Sequence, residues 1–397
     1  MYVPLKKMNY FSKIHNVLKR ELRQMFRRPL YLFASVGVMT LSTFFFLTLM
    51  SKGAAQQMPV AVVDHDQTSI SRRLTHELAA TQAADVVLIT SSFSEAREAM
   101  QQGKVYGIIV IPEDFYAELV AMHRPQLDFY VTNAYTVGGN TAYKQLLTMV
   151  NLTSGAFQRE VLRKKGMPDY VIMNRIQPVS IDAHMIGNPW SNYSIYLTSV
   201  ILPGILGLIV LMLTIFAIGY ELKTQTSREW LETAGGNYTA AMIGKLFPYT
   251  VLFVVLGIGC SLILFRFAGF PVKGSLPRLM GAMVLFVMAM ESMGIFLIGC
   301  LPTLRDAISI GALYGMLGFS LSGFTYPVMN MLPPVQALSY LVPLRHYYLI
   351  YVNEALMGAP VQNSLLPAAC LCAFMLLAMT TSLRLRNALI HQNYPLK

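Results

Sequence analysis

Six long apolar runs separate the polar segments of this chain. Each is long enough to cross a bilayer, since a transmembrane helix needs about twenty apolar residues. The pattern predicts a polytopic α-helical membrane protein with six transmembrane helices. The first helix stands apart from a transmembrane domain, residues 195–397, that holds the other five. The runs cover residues 30–50, 195–219, 242–265, 278–301, 306–328 and 364–383.

The segment 51–194 between spans one and two alternates between short apolar runs and helical periodicity. Strands are predicted at MPVAVVD, DVVLIT, VYGIIVI and QLDFYVT. Pro112 opens one predicted helix at a position that proline favours. We expect a mixed α/β extracytoplasmic domain, from which IQPVSIDAHMI leads back to the membrane. The predicted helices are DQTSISRRLTHELAA with Asp66 or Thr68 near its start, SEAREAMQQG, PEDFYAELVAM and residues 139–165.

A helical stripe of apolar residues precedes the first span. Lys13, Arg20, Arg23 and Arg27 fall largely off this stripe. Residues 1–29 are therefore expected to form an amphipathic connecting helix at the cytoplasmic interface, which Pro29 ends. The stripe consists of Tyr10, Phe11, Ile14, Val17, Leu18, Leu22, Met25 and Phe26.

Charge sets the orientation of the spans. Only 13% of the residues are charged, whereas soluble domains carry about 25%. Residues 1–29 hold eight Lys/Arg and one acid, Glu21, which places the N-terminus in the cytoplasm. Six spans would return the C-terminus to the cytoplasm as well. The basic residues of 1–29 adjoin a span, which argues against a nucleic-acid-binding patch. One outer loop disagrees with this topology, because it carries Arg266, Lys273 and Arg278.

The short loop between spans two and three carries a brief predicted helix near residues 226–234. Thr226 or Ser227 caps it, and a pair of glycines ends it. This candidate coupling helix has two interpretations. Its apolar residues dock a partner protein, or its tryptophan sits at headgroup depth in the membrane interface. The residues concerned are Arg228, Glu229, Trp230, Leu231 and Glu232.

The sequence contains no recognisable catalytic or metal-binding pattern. GNYTAAMIGKLF contains Gly244-Lys245, but Leu246 stands where a phosphate loop needs Ser or Thr to hold magnesium. The histidines are scattered, and the four cysteines lie in apolar runs without metal-ligand spacing. A turn after a strand explains the triplet Asp64-His65-Asp66 more simply than catalysis does. We therefore expect that this chain is not itself an enzyme.

Polar and small residues inside the spans have two interpretations each. Glu291 lies deep in span four, where an acid is costly and often functional. It belongs to a coupling or substrate path, or it makes an interhelical hydrogen bond. In span five, small residues four apart let helices approach closely, either within the chain or at a dimer seam. These are Gly311, Gly315, Gly318 and Ser322.

The segment SGFTYPVMNMLPPVQALSYLVPLRHYY is apolar but holds four prolines, more than a straight span tolerates. We expect an outer re-entrant helical hairpin near residues 329–358. Pro327 ends span five, Pro333 and the next proline make the turn, and Pro343 opens the returning helix. His346 is expected near the outer rim, as an interfacial polar anchor or as part of a gate.

The same segment resembles the C-terminal pattern of type-two ABC transporter permeases. That pattern is a Tyr-Pro after span five, a Met-Leu-Pro turn, a Pro-Leu-x-His and a helix ending near Gly. ELRQMFRRP resembles the family's connecting helix, VAVVDHDQTSISRRL and VYGIIVIPEDF resemble its large external domain, and TSREWLETAGG is similar to its coupling loop. The likeness covers essentially the whole chain. The matching residues are Tyr326, Pro327, Met331, Leu332, Pro333, Pro343, Leu344, His346 and Gly358.

The resemblance implies the membrane subunit of an ATP-binding cassette exporter in a bacterial inner membrane. It implies a homodimer or heterodimer joined to separate ABC ATPase subunits that bind ATP and Mg²⁺, so that this chain binds no cofactor. A periplasmic adaptor and membrane lipids are further candidate partners. The expected substrate is an amphiphilic or hydrophobic drug, lipid or lipid-linked molecule. A secondary transporter, or a receptor or scaffold whose external domain binds a partner, are the alternatives.

In two places the chain departs from the family's pattern. Where the family often has arginine in the helix after the histidine, this chain has Asn353 and Glu354. The usual Glu-x-Gly-Thr-x-Glu of the coupling loop is degraded to Leu-Lys-Thr-Gln-Thr-Ser-Arg-Glu. The family's local contacts at these positions therefore do not transfer to this chain.

Overall fold

The chain forms two compact units in the structure, which is a computed structural model. The membrane unit comprises Met1–Ser51 and Met185–Lys397, and the inserted unit comprises Lys52–His184. Each unit has its own hydrophobic core. The structure describes residues 9–51, 53, 57–80, 84–121, 123, 125–132, 136–176, 186–189, 192–392 and 394.

The membrane unit begins with two helices. The predicted connecting helix is α1 (Tyr10–Arg27). Arg28 is extended, with φ −113° and ψ 100°, because the residue before a proline avoids the helical region. The helix α2 (Pro29–Leu49) then starts at the proline and contains a π turn at Phe33–Gly37.

The inserted unit is a mixed sheet flanked by helices. Its strands are β1 (Met58–Asp64), β2 (Ala84–Thr90), β3 (Gly107–Ile111) and β4 (Asp128–Val131), in the order β2-β1-β3-β4. Strand β1 pairs in parallel with β2 and β3, and β3 pairs antiparallel with β4. The helices are α3 (Ser69–Ala79), α4 (Phe93–Gln101), α5 (Phe115–Val120), α6 (Thr136–Lys164) and α7 (Asp169–Ile176).

Both faces of this sheet are covered, because side chains alternate along a strand. Val60 and Val62 pack with residues of α3 and α6, whereas Ala61 and Val63 pack with α4. On the first side, a pocket of about 340 Å³ opens between α3, α5, β4 and α6. Its charged lining residues are Arg73, Glu77 and Glu160. Its apolar lining includes Ile70, Leu74, Phe115, Leu119, Leu127, Phe129 and Val150.

The start of α5 differs from the prediction. Asp114 adopts a left-handed φ of 60°, and the helix begins only at Phe115, so Pro112 does not open it. Thr68 caps α3 as expected, because its hydroxyl accepts a hydrogen bond from the Ser71 amide at 3.3 Å. Most of IQPVSIDAHMI, residues 177–185, lies outside the described residues.

The triplet Asp64-His65-Asp66 forms a turn between β1 and α3. Asp64 is buried and accepts hydrogen bonds from the Ser71 hydroxyl at 2.7 Å and from the Gln67 amide at 2.9 Å. These contacts satisfy the carboxylate within the turn. Among the described residues, no group of His, Cys, Asp and Glu is arranged to hold a metal ion.

The rest of the membrane unit is helical. Of the long helices, α8 and α11 are the most buried, so they form the centre of the unit. In chain order these helices are α8 (Tyr193–Lys223), α9 (Ser227–Thr233), α10 (Tyr238–Phe267), α11 (Leu276–Cys300), α12 (Leu304–Leu321), α13 (Pro333–Ser339), α14 (Pro343–Tyr351) and α15 (Gln362–His391).

In the described part of the chain, five helices are long and apolar enough to cross a membrane: α2, α8, α10, α11 and α15. The predicted fifth span, 306–328, corresponds to α12, which has 18 residues and is not among these five. Arg305 and Asp306 occupy its first turn. The helix ends at Leu321, before Gly323 takes a φ of 87°. The count of six spans stays a prediction.

Two short helices follow α12. Both begin at a proline, Pro333 in α13 and Pro343 in α14, as expected of a first-turn residue whose missing N–H costs nothing. Pro333 therefore starts a helix instead of making a turn, and Pro327 lies beyond the end of α12; those two predictions are wrong. The π segment Val352–Met357 continues α14 up to Gly358, which has a φ of 62°. A re-entrant placement of this hairpin stays a prediction.

Candidate functional site

The connecting helix α1 packs closely on the first turns of α10. Gly244 makes the approach possible, because a Cβ there would lie 2.7 Å from Cβ of Val17 and 2.8 Å from the carbonyl oxygen of Ile14. Val17, Glu21 and Met25 are the buried residues of α1, and their spacing of four places them on one stripe. The contact therefore buries the carboxylate of Glu21 in the interface between α1 and α10.

Four charged side chains meet at this interface. Lys245 Nζ lies 2.6 Å from Oε1 of Glu21 and 3.0 Å from Oε1 of Glu221. Arg20 donates to the two carboxylate oxygens of Glu221 at 2.8 and 3.1 Å, and to Oε1 of Glu21 at 3.0 Å. Glu21, Glu221 and Lys245 are each 2% exposed or less. We refer to Arg20, Glu21, Glu221 and Lys245 as the charge cluster.

The short helix α9 is attached to the charge cluster. Lys245 Nζ lies 4.8 Å from the ring centroid of Trp230, a cation–π contact, and Trp230 is fully buried. The hydroxyl of Thr226 donates to Oε2 of Glu221 just before α9 begins. Ser227 donates to the carbonyl of Leu389 at 2.8 Å, which links α9 to α15. The cluster therefore joins α9 to α1, α8 and α10.

The charge cluster is buried but has no net charge, because its two cations balance its two anions. An ion taken out of water loses several kcal/mol of hydration, so each charge is tolerated only with its partners in place. Attraction between charges is also stronger in the low dielectric of the interior. Pulling α9 away from α1, α8 or α10 would break these contacts, and we therefore expect the four helices to move together.

The outward face of α9 is charged. Arg228, Glu229 and Glu232 are exposed. Trp230 and Leu231 point inward and are 0% and 7% exposed. The expectation that these two apolar residues themselves face a partner is therefore corrected, and so is the alternative of an interfacial tryptophan. A partner that contacts α9 would meet its three exposed charged side chains.

Sequence reasoning did not identify the charge cluster, although it contains recognisable signals. Glu21 is the single acid in residues 1–29, and it falls on the apolar stripe between Val17 and Met25. Lys245 lies inside the predicted third span. A charge at a position that periodicity assigns to the core is expensive unless it is paired, so each of these residues calls for a buried partner.

Glu291 lies between α10 and α11. The Thr250 hydroxyl is 3.0 and 2.8 Å from its two carboxyl oxygens, and Glu291 is 6% exposed. Within the described residues, no cation forms a salt bridge with this carboxyl. The geometry favours an interhelical hydrogen bond over a charged site in a coupling path.

Glu291→Gln is therefore expected to keep the free energy of unfolding within about 1 kcal/mol, because an amide still offers Thr250 a hydrogen-bond partner. The transport that the family resemblance implies is expected to persist as well. Thermal unfolding and vesicle transport measure the two effects. Loss of transport in a stable Glu291→Gln variant would contradict the structural role and show that an ionisable group is needed there.

The small residues of α12 pack within the chain. A Cβ on Gly311 would lie 2.7 Å from Cδ1 of Ile215, and one on Gly315 would lie 2.5 Å from Cδ1 of Leu208, both on α8. This side of α12 is therefore occupied by α8, and a dimer seam formed by α12 stays a prediction. Gly318 in α12 and Ser322, which directly follows the helix, are buried.

His346 holds the turn between α13 and α14. It is 3% exposed and donates from Nε2 to the carbonyl of Tyr340 at 2.9 Å. Its ring centroid lies 5.9 Å from that of Phe374 on α15. The histidine is therefore buried, so it is not an exposed polar anchor, whereas its placement near the outer rim stays a prediction. Tyr326, in contrast, is 52% exposed.

A buried carboxylate, Glu354, ties the segment after α14 to the start of α11. Arg278 donates to its Oε2 from Nε at 3.0 Å and forms a salt bridge at 2.9 Å, and the Ser275 amide donates to the same oxygen at 3.2 Å. Glu354 is fully buried. Arg278 is one of the three basic residues that disagreed with the predicted topology, and Glu354 neutralises its charge.

Arg278→Met is expected to lower the free energy of unfolding by about 3 kcal/mol, because it leaves Glu354 buried without its cation. Arg305→Met is the matched control, since the Arg305 side chain is 90% exposed and its loss is expected to change stability by about 0.5 kcal/mol or less. Chemical unfolding in detergent compares the two variants. Equal stability would contradict a structural role for the Arg278–Glu354 pair.

Comparison with known proteins assigns the family. The model described as "ABC-2 family transporter protein" matches residues 30–384. The chain is 23% identical over 373 residues to the probable multidrug ABC transporter permease YbhR of Escherichia coli (strain K12). This alignment covers 90% of the present chain and 94% of YbhR. The chain is 24% identical over 352 residues to the inner membrane transport permease YhhJ of the same strain, covering 86% and 87%.

A shorter similarity links the chain to a third permease. It is 30% identical over 120 residues to the linearmycin resistance permease protein LnrN of Bacillus subtilis (strain 168), covering 30% of each chain. The family match extends from the first span into α15 and includes the inserted unit. Permease components of this family are membrane subunits without an ATPase site, and partner ABC ATPases hydrolyse the ATP. The resemblance found in the sequence is thus confirmed, and the chain belongs to the ABC-2 family of transporter permeases.

Proposed function

We propose that this chain is the membrane subunit of an ATP-driven exporter in a bacterial inner membrane. Two partner ATPase subunits hold ATP and Mg²⁺, and the permease moves an amphiphilic or hydrophobic molecule outward. The observation that carries the proposal is the charge cluster. Trp230 on Lys245 and Thr226 on Glu221 connect it to α9, and its own residues lie on α8 and α10, two helices suited to cross the membrane. An ATPase that moved α9 would therefore move spans.

The path of the motion follows the contacts. Closure of the ATPase subunits on ATP pushes on the charged outer face of α9. Trp230 passes the push to Lys245 on α10, and the Thr226 hydroxyl passes it to Glu221 at the end of α8. Glu21 makes the connecting helix α1 follow, since it shares Lys245 with Glu221. The spans then rock around a path between two permease subunits.

The assembly we propose contains two permeases, as a homodimer or with a related subunit. Both termini lie in the cytoplasm, which the basic excess of residues 1–29 supports. The inserted unit then lies on the periplasmic side, where an adaptor protein is a candidate partner. Membrane lipids surround the exposed faces of α2, α10 and α15.

Two observations support an amphiphilic substrate. YbhR is named a probable multidrug permease and LnrN a linearmycin resistance permease. The inserted unit has an apolar pocket of about 340 Å³ with charged residues in its lining, and pockets for small ligands typically measure about 300–1,000 Å³. An apolar molecule with a polar end fits such a pocket.

Purification of the tagged permease from native membranes tests the proposal. We expect a P-loop ATPase to co-purify. Vesicles that contain the complex are expected to move an amphipathic dye, chosen from a panel, in an ATP-dependent and vanadate-sensitive way. If no ATPase associates and vanadate leaves dye transport unchanged, the proposal fails, and a secondary transporter takes its place.

A further inference from the structure

The connecting helix α1 has three different faces. One is the buried stripe against α10. The second is apolar and exposed, with Phe11 at 79%, Leu22 at 38% and Phe26 at 69% exposure. The third is basic and exposed, and carries Lys19, Arg23 and Arg27 at intervals of four. A single apolar stripe, as the sequence predicted, would need only one environment, whereas these three faces need protein, hydrocarbon and an anionic surface.

A shallow groove runs along the basic face. It has a volume of about 290 Å³. Arg20 in its wall is bound to Glu221 and Glu21 of the charge cluster. Within the described residues, Lys19, Arg23 and Arg27 form no salt bridge, so the groove keeps three uncompensated cations. Its lining residues are Asn16, Lys19, Arg20, Arg23, Gln24 and Arg27.

The two exposed faces lie side by side, and this decides between occupants. An acidic protein or a free anion would satisfy the cations but leave Phe11, Leu22 and Phe26 in water. A phospholipid satisfies both faces, because its phosphate and its acyl chains meet at the depth where an interfacial helix lies. Basic side chains near a membrane surface also attract anionic lipid individually.

We propose that the groove on α1 binds the headgroup of an anionic phospholipid, such as a phosphatidylglycerol, with its acyl chains along Phe11, Leu22 and Phe26. The phosphate takes hydrogen bonds from Arg23 and Arg27, whose forked guanidinium donors suit phosphate oxygens. Arg20 and Glu21 stand less than one turn from Arg23 on the same helix. Bound lipid therefore stabilises α1 in the position that completes the charge cluster, and this role does not depend on ATPase coupling.

Lipid retention by the full-length permease tests the proposal. The protein is incorporated in nanodiscs that contain equal amounts of phosphatidylglycerol and phosphatidylcholine, extracted in mild detergent and analysed for bound lipid by native mass spectrometry. We expect the wild type to retain phosphatidylglycerol selectively. The triple variant Lys19→Gln/Arg23→Gln/Arg27→Gln is expected to lose this selectivity roughly tenfold or more, since each basic residue adds to the attraction.

The control removes the same number of positive charges from the inserted unit, at three exposed positions: Arg72→Gln/Arg97→Gln/Lys165→Gln. We expect it to retain lipid as the wild type does. Equal selectivity in both triple variants would overturn the proposal. Displacement of the bound lipid by millimolar inorganic phosphate would show a simple anion site, and loss of ATPase binding with unchanged lipid selectivity would show a protein-docking face; either result would also overturn it.

Single variants keep the test decisive if the triple variant does not fold. Arg23→Gln and Arg27→Gln are each expected to reduce the retention of phosphatidylglycerol but not of phosphatidylcholine. Added salt is expected to weaken the selectivity of the wild type, because it screens exposed charges. Salt-independent selectivity that neither substitution changes would contradict a lipid site on this face of α1.

Discussion

Lys245→Met is expected to lower the free energy of unfolding of the permease by about 3–5 kcal/mol, because Glu21 and Glu221 then share only Arg20 and one buried negative charge is left uncompensated. Chemical unfolding of the purified protein measures the change. Lys223→Met is the control, since Lys223 is exposed at the end of α8, and we expect a change of about 0.5 kcal/mol or less. A Lys245→Met variant as stable as the control would show that the charge cluster does not support the fold.

The double variant Glu21→Gln/Lys245→Met separates stability from coupling. It removes one charge of each sign and leaves the Arg20–Glu221 pair intact, so most of the lost stability is expected to return. The ionic link between α1 and α10 is nevertheless gone. We expect ATP hydrolysis by the complex to continue while export falls roughly tenfold, a typical size for a coupling energy between sites. Export at the wild-type level would mean that the link serves only the fold.

Reversal of the charges on α9 is expected to give the largest loss of ATPase binding. Arg228→Glu/Glu229→Lys changes two exposed side chains, so we expect the permease to fold with a stability change of about 0.5 kcal/mol or less. Removing one member of a charged pair that is buried across an interface weakens binding by about 2–5 kcal/mol. The amount of ATPase that co-purifies with the variant measures the effect.

The matched control carries the same swap elsewhere. Arg72→Glu/Glu98→Lys exchanges one cation and one anion at exposed positions of the inserted unit. It is expected to bind the ATPase as the wild type does. If the α9 variant also binds the ATPase normally, another surface receives the partner, and the proposed path through Trp230 is incorrect.

Much of the fold could be predicted because local patterns determine it. MPVAVVD became β1 with the expected bounds, since a short apolar run buried on both faces is typical of a parallel strand. The end of α12 was missed because the apolar run continues past Leu321, while a left-handed residue at Gly323 ends the helix. Hydropathy does not register that conformation. The same limitation misplaced the helix start near Pro112, where Asp114 adopts a positive φ.

The candidate site was less predictable because it depends on contacts between distant segments. The loop 226–234 was recognised from its local sequence, and α9 spans Ser227–Thr233. The prediction that Trp230 contacts a partner protein was wrong, since its side chain is buried against Lys245 of the same chain. Glu21 and Lys245 are 224 positions apart, and no local pattern indicates that they meet. Only the packing of α1 on α10 at Gly244 brings them together.

Trp230 offers the most direct test that the charge cluster moves as one body. The chain has two tryptophans, so Trp190→Phe leaves Trp230 as the single site for 5-fluorotryptophan. The labelled permease is assembled with unlabelled ATPase and observed by ¹⁹F NMR. We predict one resonance with the same chemical shift in the nucleotide-free and vanadate-trapped complexes, and an altered resonance in the Glu21→Gln/Lys245→Met variant. A new or solvent-exposed resonance in the trapped complex of the otherwise unchanged permease would show that the cluster opens, and would contradict the account.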